Sequence, residues 1–512
     1  MATTPYTPPV LEPVVASAST KANGFLARIF NRHFLHISVL IVLPLLMAQP
    51  LHRHIELLRD PDIWWHLANA RLLFSTHHFV GIDTYSFTVS GQRWVNPEWL
   101  AEVPYWLGYR AFHYSGVYLV TWIALALNVV FLYWRGYLTG KHSGAAFWAT
   151  CLGLALMSAN GGPRTILFAY LALSAELAII EAMERDNARI AWLLPPLFCV
   201  WINLHGSWLI GLALLVVYIA CGSVGAVSVG AFEQPRRPGK EYKRLFLVVA
   251  ASLVALMVNP YGWRLVWNPI DMIMNQKLNI AFVEEWQPLR LEWGVGKAAF
   301  AVIGLMVLTN CLKGRKWKLY EMVFVFFAWY AAFDHVRFTC VAAIITIPLL
   351  AECMARSFCS QSDSKSIPLS MTAFVLACSF VFAFHTFPRD VTLREDAAIL
   401  FPQQTIGTIN PSWRTFNEVN LGGYMAFTSK LDYIDSRLDT FEHHGILKDY
   451  LDVIQINQPL AVLDRYRIDH VLFLESTPLT YLLERADGWH VVQHEGSGKN
   501  EYVLLVRDTA TH

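Results

Sequence analysis

The stretch RDPDIWWH, residues 59–66, concentrates side chains of acid–base chemistry directly behind the first long apolar run. Carboxylates and imidazoles transfer protons and bind metal ions, so Asp60, Asp62 and His66 are the first candidates for a reactive site. Helical spacing puts Asp62 and His66 on one stripe and Trp64 on another. We expect an amphipathic helix in the membrane interface that turns the acid and the histidine toward water or a cleft. A headgroup-anchoring helix with solvated acids would have the same pattern.

A second acidic pair follows in WVNPEWLAEVPYWL, residues 94–107. Glu98 and Glu102 are four residues apart on a second predicted interfacial helix, where like charges repel by about a few tenths of a kcal/mol. A cation, a hydroxyl-bearing substrate or a neighbouring arginine would offset this repulsion. Exposure of both side chains to water is the alternative.

Single arginines stand at the ends of three predicted apolar helices. They are Arg164 in GGPRT, Arg264 in NPYGWR and Arg337 in FDHVRF. The planar guanidinium group can hold a phosphate with two hydrogen bonds. It can also reach toward lipid headgroups while its stem stays in apolar surroundings. We predict that at least one of the three binds a phosphate.

Two histidines and one more acidic turn complete the candidate set. His205 in NLHGSW, His335 in FDHVRF and Glu285 in EEWQPL could join the acids of the first loop around a divalent cation such as Mg²⁺ or Mn²⁺. No HxxxH or HExxH pattern surrounds these histidines, so hydrogen bonds to polar neighbours are the alternative, as a solvated turn is for Glu285. The sequence identifies no cofactor and leaves the metal open.

The composition predicts that a polytopic membrane protein positions these residues. The 512-residue chain is 55% hydrophobic and 15% charged, with a net charge of +1 and a mean hydropathy of +0.37. Soluble domains carry about 25% charged residues. Nothing in the charge pattern indicates nucleic-acid binding. Apolar runs predict about eleven transmembrane helices, near residues 34–51, 116–134, 145–159, 164–183, 190–203, 207–229, 245–258, 296–312, 319–333, 338–354 and 369–386.

Lysine and arginine are concentrated in alternate connections, of which EQPRRPGKEYKR and KGRKWK are the clearest. The positive-inside rule therefore puts the N-terminus in the cytoplasm and, with an odd number of spans, the tail outside. Every unusual loop motif then falls on the outer face. We predict a multi-pass protein of the bacterial inner membrane whose chemistry takes place on that face.

The predicted domains are a disordered cytoplasmic segment 1–33, a transmembrane domain 34–387 with a long first outer loop 52–115, and an extracytoplasmic α/β domain 388–512. In the last domain LDYID, DHVLFL and EYVLLV read as strands, and residues 445–467 and 477–486 as helices. The glycine pair Gly422–Gly423 suits a tight turn and is not a nucleotide-binding fingerprint.

The topology and the first loop resemble the GT-C superfamily, integral membrane glycosyltransferases that use polyprenyl-phosphate-linked sugars. DIWWH is similar to the D-E-x-x-Y/H start of that loop in protein mannosyltransferases and aminoarabinose transferases, and NPEWLAEVPYWL to the following K/H-P-P-L…YWL segment. Ile63 stands in place of the second acid, and Asn96-Pro97-Glu98 in place of the Pro-Pro core. With NLHGSW, NPYGWR, EEWQPL and NEVNLGGYM, the motifs are similar to a group of bacterial membrane proteins distantly related to GT-C.

This resemblance implies an inverting glycosyltransferase that moves a sugar from a polyprenyl-phosphate donor to an extracytoplasmic lipid, glycan or protein. By the resemblance, Asp62 is the general base, and Asp60 a second catalytic residue or metal contact. Glu98 contacts the acceptor, and Arg337 or Arg264 holds the phosphate. Further substrate contacts are expected from His66, Arg164, His205, Glu285 and His335. Two other functions share the sequence features: a non-catalytic envelope protein that binds a glycan or a protein, and a transporter of lipid-linked substrates.

Overall fold

The computed structural model describes residues 32–47, 60–185, 187–234, 238–359, 377–378, 381 and 401–508. Each predicted apolar run from 34–51 to 338–354 overlaps a helix; the run 369–386 lies outside the described residues except for three positions. The helices before residue 360 are α1 (Arg32–Met47), α2 (Asp62–Thr76), α3 (Trp99–Gly140), α4 (Ser143–Met157), α5 (Ile166–Met183), α6 (Leu194–Leu204), α7 (Trp208–Ser223), α8 (Gly239–Ala255), α9 (Trp263–Asn275), α10 (Lys277–Phe282), α11 (Gly294–Leu312), α12 (Leu319–Asp334) and α13 (Thr339–Phe358).

The apolar helices are those of a multi-pass membrane protein. Four described segments are long and apolar enough to cross a bilayer: Trp99–Gly140, Ile166–Met183, Gly294–Leu312 and Val336–Phe358. Shorter apolar helices accompany them, so the number of spans stays a prediction. The proposed domain junction at residue 387 and nearly all of segment 1–33 lie outside the described residues.

The second interfacial helix and the second span are merged in α3, a helix of 42 residues. Phe112 and His113 have non-helical backbone angles and kink it near its first third. The residues before the kink belong to the acidic first loop, and those after it pack in the helix bundle against α13 and α4. The kink therefore joins the loop to the bundle without a separate connection.

Helix α2, which opens the first loop, is covered on all sides over its first half. Its start is fixed by Asp60, whose Oδ1 accepts a hydrogen bond from the backbone N–H of Asp62 at 3.1 Å. Every residue from Ile63 to Ala70 is buried. Helix α15 of the tail (Val419–Phe427) packs against α2, so His66 does not face water as expected, whereas Asp62 does face a cleft; the position of the helix at the membrane interface stays a prediction.

The C-terminal part, residues 401–508, is an α/β unit. Its strands β3 (Thr415–Asn417), β4 (His470–Leu474), β5 (Trp489–Glu495) and β6 (Tyr502–Arg507) are ordered β3-β4-β6-β5. Strands β3 and β4 are parallel, and the other neighbours are antiparallel. β1 (Val227–Val229) and β2 (Phe232–Gln234) form a separate hairpin. Besides α15, the tail helices are α14 (Gln403–Thr408), α16 (Leu438–His443), α17 (Ile446–Ile454), α18 (Pro459–Arg465) and α19 (Pro478–Leu483).

The predicted strands DHVLFL and EYVLLV coincide with β4 and β6, but LDYID is not a strand. Asp432, within it, makes a single bridge to Ser86 of the first loop, and its backbone exchanges hydrogen bonds with Tyr85 and Phe87. This segment therefore lies outside the four-stranded sheet and connects the tail to the first loop through backbone hydrogen bonds.

The glycine pair lies inside α15 and not in a turn, so that prediction was also wrong. A Cβ on Gly423 would collide with the carbonyl oxygen of Pro61, and one on Gly422 with Ile434 and Asp435. Glycine is needed here because two backbones approach closely, which is a packing requirement and not a conformational one. Next to this contact Trp64 packs edge-on against Tyr424.

Candidate active site

Four parts of the chain enclose one cavity of about 320 Å³: the first loop, the bundle helices, the segment from α9 to Trp286, and the tail. Apolar side chains come from α5, α7 and α13, while most polar ones come from the loops and the tail. The residues that we singled out from the sequence and that line it are Asp62, Glu98, His205, Glu285 and Arg337. A cavity with one apolar and one polar wall suits an amphiphile such as a lipid-linked sugar.

Asp62 lies at the cavity and Asp60 behind it. The Asp62 carboxylate accepts a hydrogen bond from Trp65 Nε1 at 3.3 Å. Burial, and after it the charge of Asp60, raise the pKa of Asp62 above its usual value. A carboxylate with a raised pKa is a stronger proton acceptor, as general base catalysis requires.

Asp60 does not line the cavity and is instead paired with Arg164. The Arg164 Nε donates to Asp60 Oδ2 at 2.5 Å, and Nη1 of the same guanidinium contacts Glu285. Burial opposes the charge of Arg164, but the neighbouring Asp60 and Asp62 raise its pKa. This chain of charges joins the first loop to the Glu284–Trp286 turn and fixes the edge of the cavity.

His66 lies between the two glutamates of α3. Its Nδ1 is 2.9 Å from Glu102 Oε1 and its Nε2 is 3.3 Å from Glu98 Oε2. Both His66 and Glu102 are buried, at 2% and 1% exposure, so exposure of both glutamates is excluded. Burial lowers the pKa of His66, but the hydrogen bond to Glu102 and the charges of Glu98, Glu102 and Asp62 outweigh it, and the pKa is raised. His66 thus lies where a protonated imidazole would offset the repulsion within the acidic pair.

Glu98 connects this buried network to the cavity. It accepts a hydrogen bond from the hydroxyl of Thr165 at 2.9 Å, and its Oε1 is 3.2 Å from Nε2 of His205. Burial raises the pKa of Glu98 to about 7, against the opposing charge of His66. Burial, and then the charge of Arg337, lower the pKa of His205 to about 3. His205 is therefore neutral near pH 7, whereas Glu98 gains or loses its proton close to that pH.

The three arginines have different environments. Arg337 lines the cavity, and its guanidinium carbon lies 4.1 Å from the ring centroid of Trp286. His335 is held through Nδ1 to the carbonyl oxygen of Trp286 at 2.6 Å and is not a cavity residue. Arg264 is also outside the cavity lining, with its guanidinium 5.9 Å from the Trp263 ring. Of the two proposed phosphate clamps, Arg337 is therefore the one at the cavity.

Sequence reasoning missed the contribution of the tail. Ser436, Arg437, Leu438 and Asp439 line the cavity, and Trp65 Nε1 donates to Ser436 Oγ at 3.1 Å. The one available signal was the run DYIDSRLD, in which a single arginine stands among three acids.

The donor groups at the cavity fit ion pairs better than a metal site. Asp60 and Glu285 both contact Arg164, and Glu98 lies between His66 and His205. In the described parts of the chain, the group of three side chains whose ligand atoms lie within 4.8 Å of one another is Glu475, His494 and Glu501, none of which lines the cavity. We derive no step through a metal ion.

Comparison with known proteins gives matches in structure alone. No model of a known protein family matches the chain, and no curated protein sequence matches it. The apo crystal structure of the Archaeoglobus fulgidus oligosaccharyltransferase has a TM-score of 0.54 and 10% identity, covering 86% of this chain and 69% of that one.

The same enzyme in complex with an inhibitory peptide and a dolichol-phosphate gives a TM-score of 0.51 at 10% identity, with the same coverage. The form tethered to an acceptor peptide gives 0.50 at 9%, again covering 86% and 69% of the two chains. At such identities the likeness concerns the fold. The chain shares the fold of this oligosaccharyltransferase, in line with the topology that the resemblance of its first loop implies.

Proposed function

We propose that this protein is a membrane glycosyltransferase that moves a sugar from a polyprenyl-phosphate donor to an extracytoplasmic acceptor, with Asp62 as general base. The observation that carries the proposal is the shared cavity of Asp62, Glu98 and Arg337 within a GT-C-type fold. Asp62 and Glu98 come from the first loop, and Arg337 comes from the connection between α12 and α13. A general base, a second acid and a phosphate-binding cation in one cavity are the parts that sugar transfer needs.

The donor would bind with its phosphate at Arg337 and its prenyl chain along the apolar wall. Trp286 supports the guanidinium by a cation–π contact, which restricts its motion and favours a fixed phosphate position. Apolar side chains of α5, α7 and α13 lie on the same cavity; they are Ile166, Ala169, Leu173, Leu209, Ile210 and Val341.

The reaction proceeds by displacement at the anomeric carbon of the sugar. The acceptor oxygen or nitrogen forms a bond to this carbon while the bond from the carbon to the phosphate oxygen breaks, and the bonding pair leaves with the phosphate. Asp62 takes the proton of the attacking group, and Arg337 offsets the charge that develops on the leaving phosphate. Attack from the face opposite the phosphate inverts the anomeric configuration.

Glu98 would contact the acceptor and accept a hydrogen bond from it. The site would face the outside of a bacterial inner membrane, as the charge pattern of the connecting loops indicates. A related fold has been solved with a dolichol-phosphate and with an acceptor peptide, so a polyprenyl phosphate and a peptide are the first ligands to test.

The test is the Asp62→Asn variant. Membranes that contain the full-length protein are incubated with a radiolabelled polyprenyl-phosphate-linked sugar, and label is measured in lipid, glycan and protein fractions. Since asparagine keeps the oxygen that accepts from Trp65, we expect normal thermal stability and normal binding of polyprenyl phosphate. Transfer should fall by about 10²- to 10⁴-fold, the range for loss of a general base.

Asp464→Asn is the matched control, because this aspartate lies on the tail surface with 61% of its side chain exposed. It should leave transfer unchanged. Full transfer by Asp62→Asn, or damage from the tail-surface variant alone, would contradict the proposal and favour a non-catalytic binding protein.

A further inference from the structure

The tail closes one side of the cavity with a rigid buried arginine. The Arg437 side chain is 1% exposed and is held by Asp435, at 2.6 Å, and by Asp83 of the first loop, at 2.7 Å. Its guanidinium carbon also lies 4.7 Å from the ring centroid of Trp94. Arg437 is therefore fixed from both sides, and its position depends on the contact between loop and tail.

One hydrogen-bond donor of the Arg437 guanidinium is unmatched. Within the described residues, Nη1 of Arg437 is buried and has no hydrogen-bond partner, although the residue lines the cavity. Buried donors are almost always satisfied in proteins, so an unmatched one beside a cavity indicates a ligand that completes it.

Gln276, between α9 and α10, carries the matching acceptor. Its side-chain Nε2 donates to the carbonyl oxygen of Asp439 at 3.2 Å, which ties it to the same tail segment. Its Oε1 is buried without a partner among the described residues, and Gln276 also lines the cavity. The cavity thus offers one unmatched donor and one unmatched acceptor from two different parts of the chain.

Hydroxyl groups suit both atoms, since a hydroxyl can accept from a guanidinium and can donate to an amide oxygen. Trp65 and Trp94 line the same cavity and give an apolar face on which the C–H side of a sugar ring can pack. Carboxylates outnumber arginines on the cavity lining, five to two, so an acidic sugar would be repelled.

We infer that Arg437 and Gln276 form a subsite for the transferred sugar and select a neutral, hydroxyl-rich ring. This inference rests on the proposed function and names the substrate class of the same cavity. A donor lipid carries its sugar one bond from the phosphate, so a phosphate at Arg337 requires the sugar to lie inside this cavity. The tail would thus recognise the donor sugar through Arg437.

The experiment measures binding to the purified full-length protein in lipid nanodiscs. Three probes are compared: a polyprenyl phosphate, the same lipid phosphate carrying a neutral hexose, and the same carrying a hexuronic acid. We expect the hexose lipid to bind about 10-fold more tightly than the bare lipid phosphate, as two added hydrogen bonds allow. The hexuronate lipid should gain nothing.

Gln276→Met is the main variant, because a change at Arg437 also disturbs the two buried carboxylates that this arginine holds. Arg437→Lys is the second variant and keeps the positive charge. Either variant should weaken binding of the hexose lipid by about 3- to 10-fold and leave the bare lipid unchanged. Gln455→Met and Arg485→Lys are the controls, since both side chains are exposed in the tail.

The outcomes separate the two proposals. If the wild type binds neither the bare lipid nor the hexose lipid, the proposed function fails. If it binds the bare lipid but the hexose adds no affinity, or if Gln276→Met keeps the full gain, the sugar subsite alone is overturned. Equal binding of the hexuronate and hexose lipids would overturn the selection for a neutral ring.

Discussion

The two ends of helix α5 show how differently one bundle uses charged residues. At its start, Ile166 and Tyr170 line the cavity beside Glu98 and Arg337. Near its end, Glu181 accepts from the buried Arg135 at 2.6 Å, and Arg135 also donates to the carbonyl oxygen of Ile344 at 2.7 Å. The same residue types thus face space for a ligand at one end and only protein partners at the other.

The difference teaches that a charged pair by itself does not indicate chemistry. At the far end the pairing holds helices together, and removing one partner leaves a buried charge. At the other end Asp62 and Glu98 line the cavity, and burial raises the pKa of both carboxyl groups. A perturbed acid in a cavity is a better mark of function than an ion pair.

The sharpest way to break this comparison is Arg337→Gln. If the cavity end is the reactive one, transfer should fall by about 10²- to 10³-fold, because the leaving phosphate loses its fixed cation. Binding of polyprenyl phosphate should weaken too, while the melting temperature changes little. Transfer assays and lipid binding on the purified variant check this. Unchanged transfer with Arg337→Gln would remove the phosphate site from the cavity.

The opposite result is expected from Glu181→Gln at the other end of α5. This variant leaves the buried Arg135 without its carboxylate and should lower the free energy of unfolding by about 3 kcal/mol. The rate of transfer per folded molecule should stay the same. Thermal unfolding in detergent, together with activity normalised to folded protein, measures both. A fall in transfer without a fall in stability would show that the far end takes part in the reaction.

The smallest effect concerns pH and Glu98. Because burial raises its pKa to about 7, the folded protein keeps a proton that the unfolded chain, with a glutamate pKa of 4.5, releases. Stability should therefore decline as pH rises from about 4.5 through 7. Glu98→Gln should remove the part of this decline that Glu98 contributes and change transfer by less than about 10-fold, as expected for a contact and not for the base. Melting temperatures measured between acid and alkaline pH test this, and an equal slope in both proteins would contradict it.

The sequence was sufficient to predict the helices but not the way the tail meets them. Long apolar runs predict helices by length alone, and the runs up to 338–354 all overlap one. LDYID and the glycine pair were misread because their neighbours are distant: Asp432 pairs with Ser86, and Gly423 meets Pro61. Local pattern carries no information on such partners.

The same limit applies to the candidate site, which could be predicted only where its residues are close in sequence. The spacing of Glu98 and Glu102 indicated that a cation was needed, and His66 occupies the place between them. Arg437 could not be assigned, since its partner Asp83 is 354 positions away in sequence. The sequence identified candidate residues near the first-loop motifs, but it did not identify the cavity wall that the tail contributes.

The docking of α15 on α2 has a consequence for the timing of biosynthesis. Trp65 of α2 donates to Ser436, which follows α15 in the tail, and these two residues are 371 positions apart in the chain. At a synthesis rate of about 5–20 residues per second, the first loop waits about 20–75 s for the segment that covers it. During that interval Trp64 and its neighbours have no tail to pack against. The cavity thus forms only after Ser436 and its neighbours have been synthesised, and a chain terminated before this segment would insert in the membrane without the cavity wall that the tail contributes.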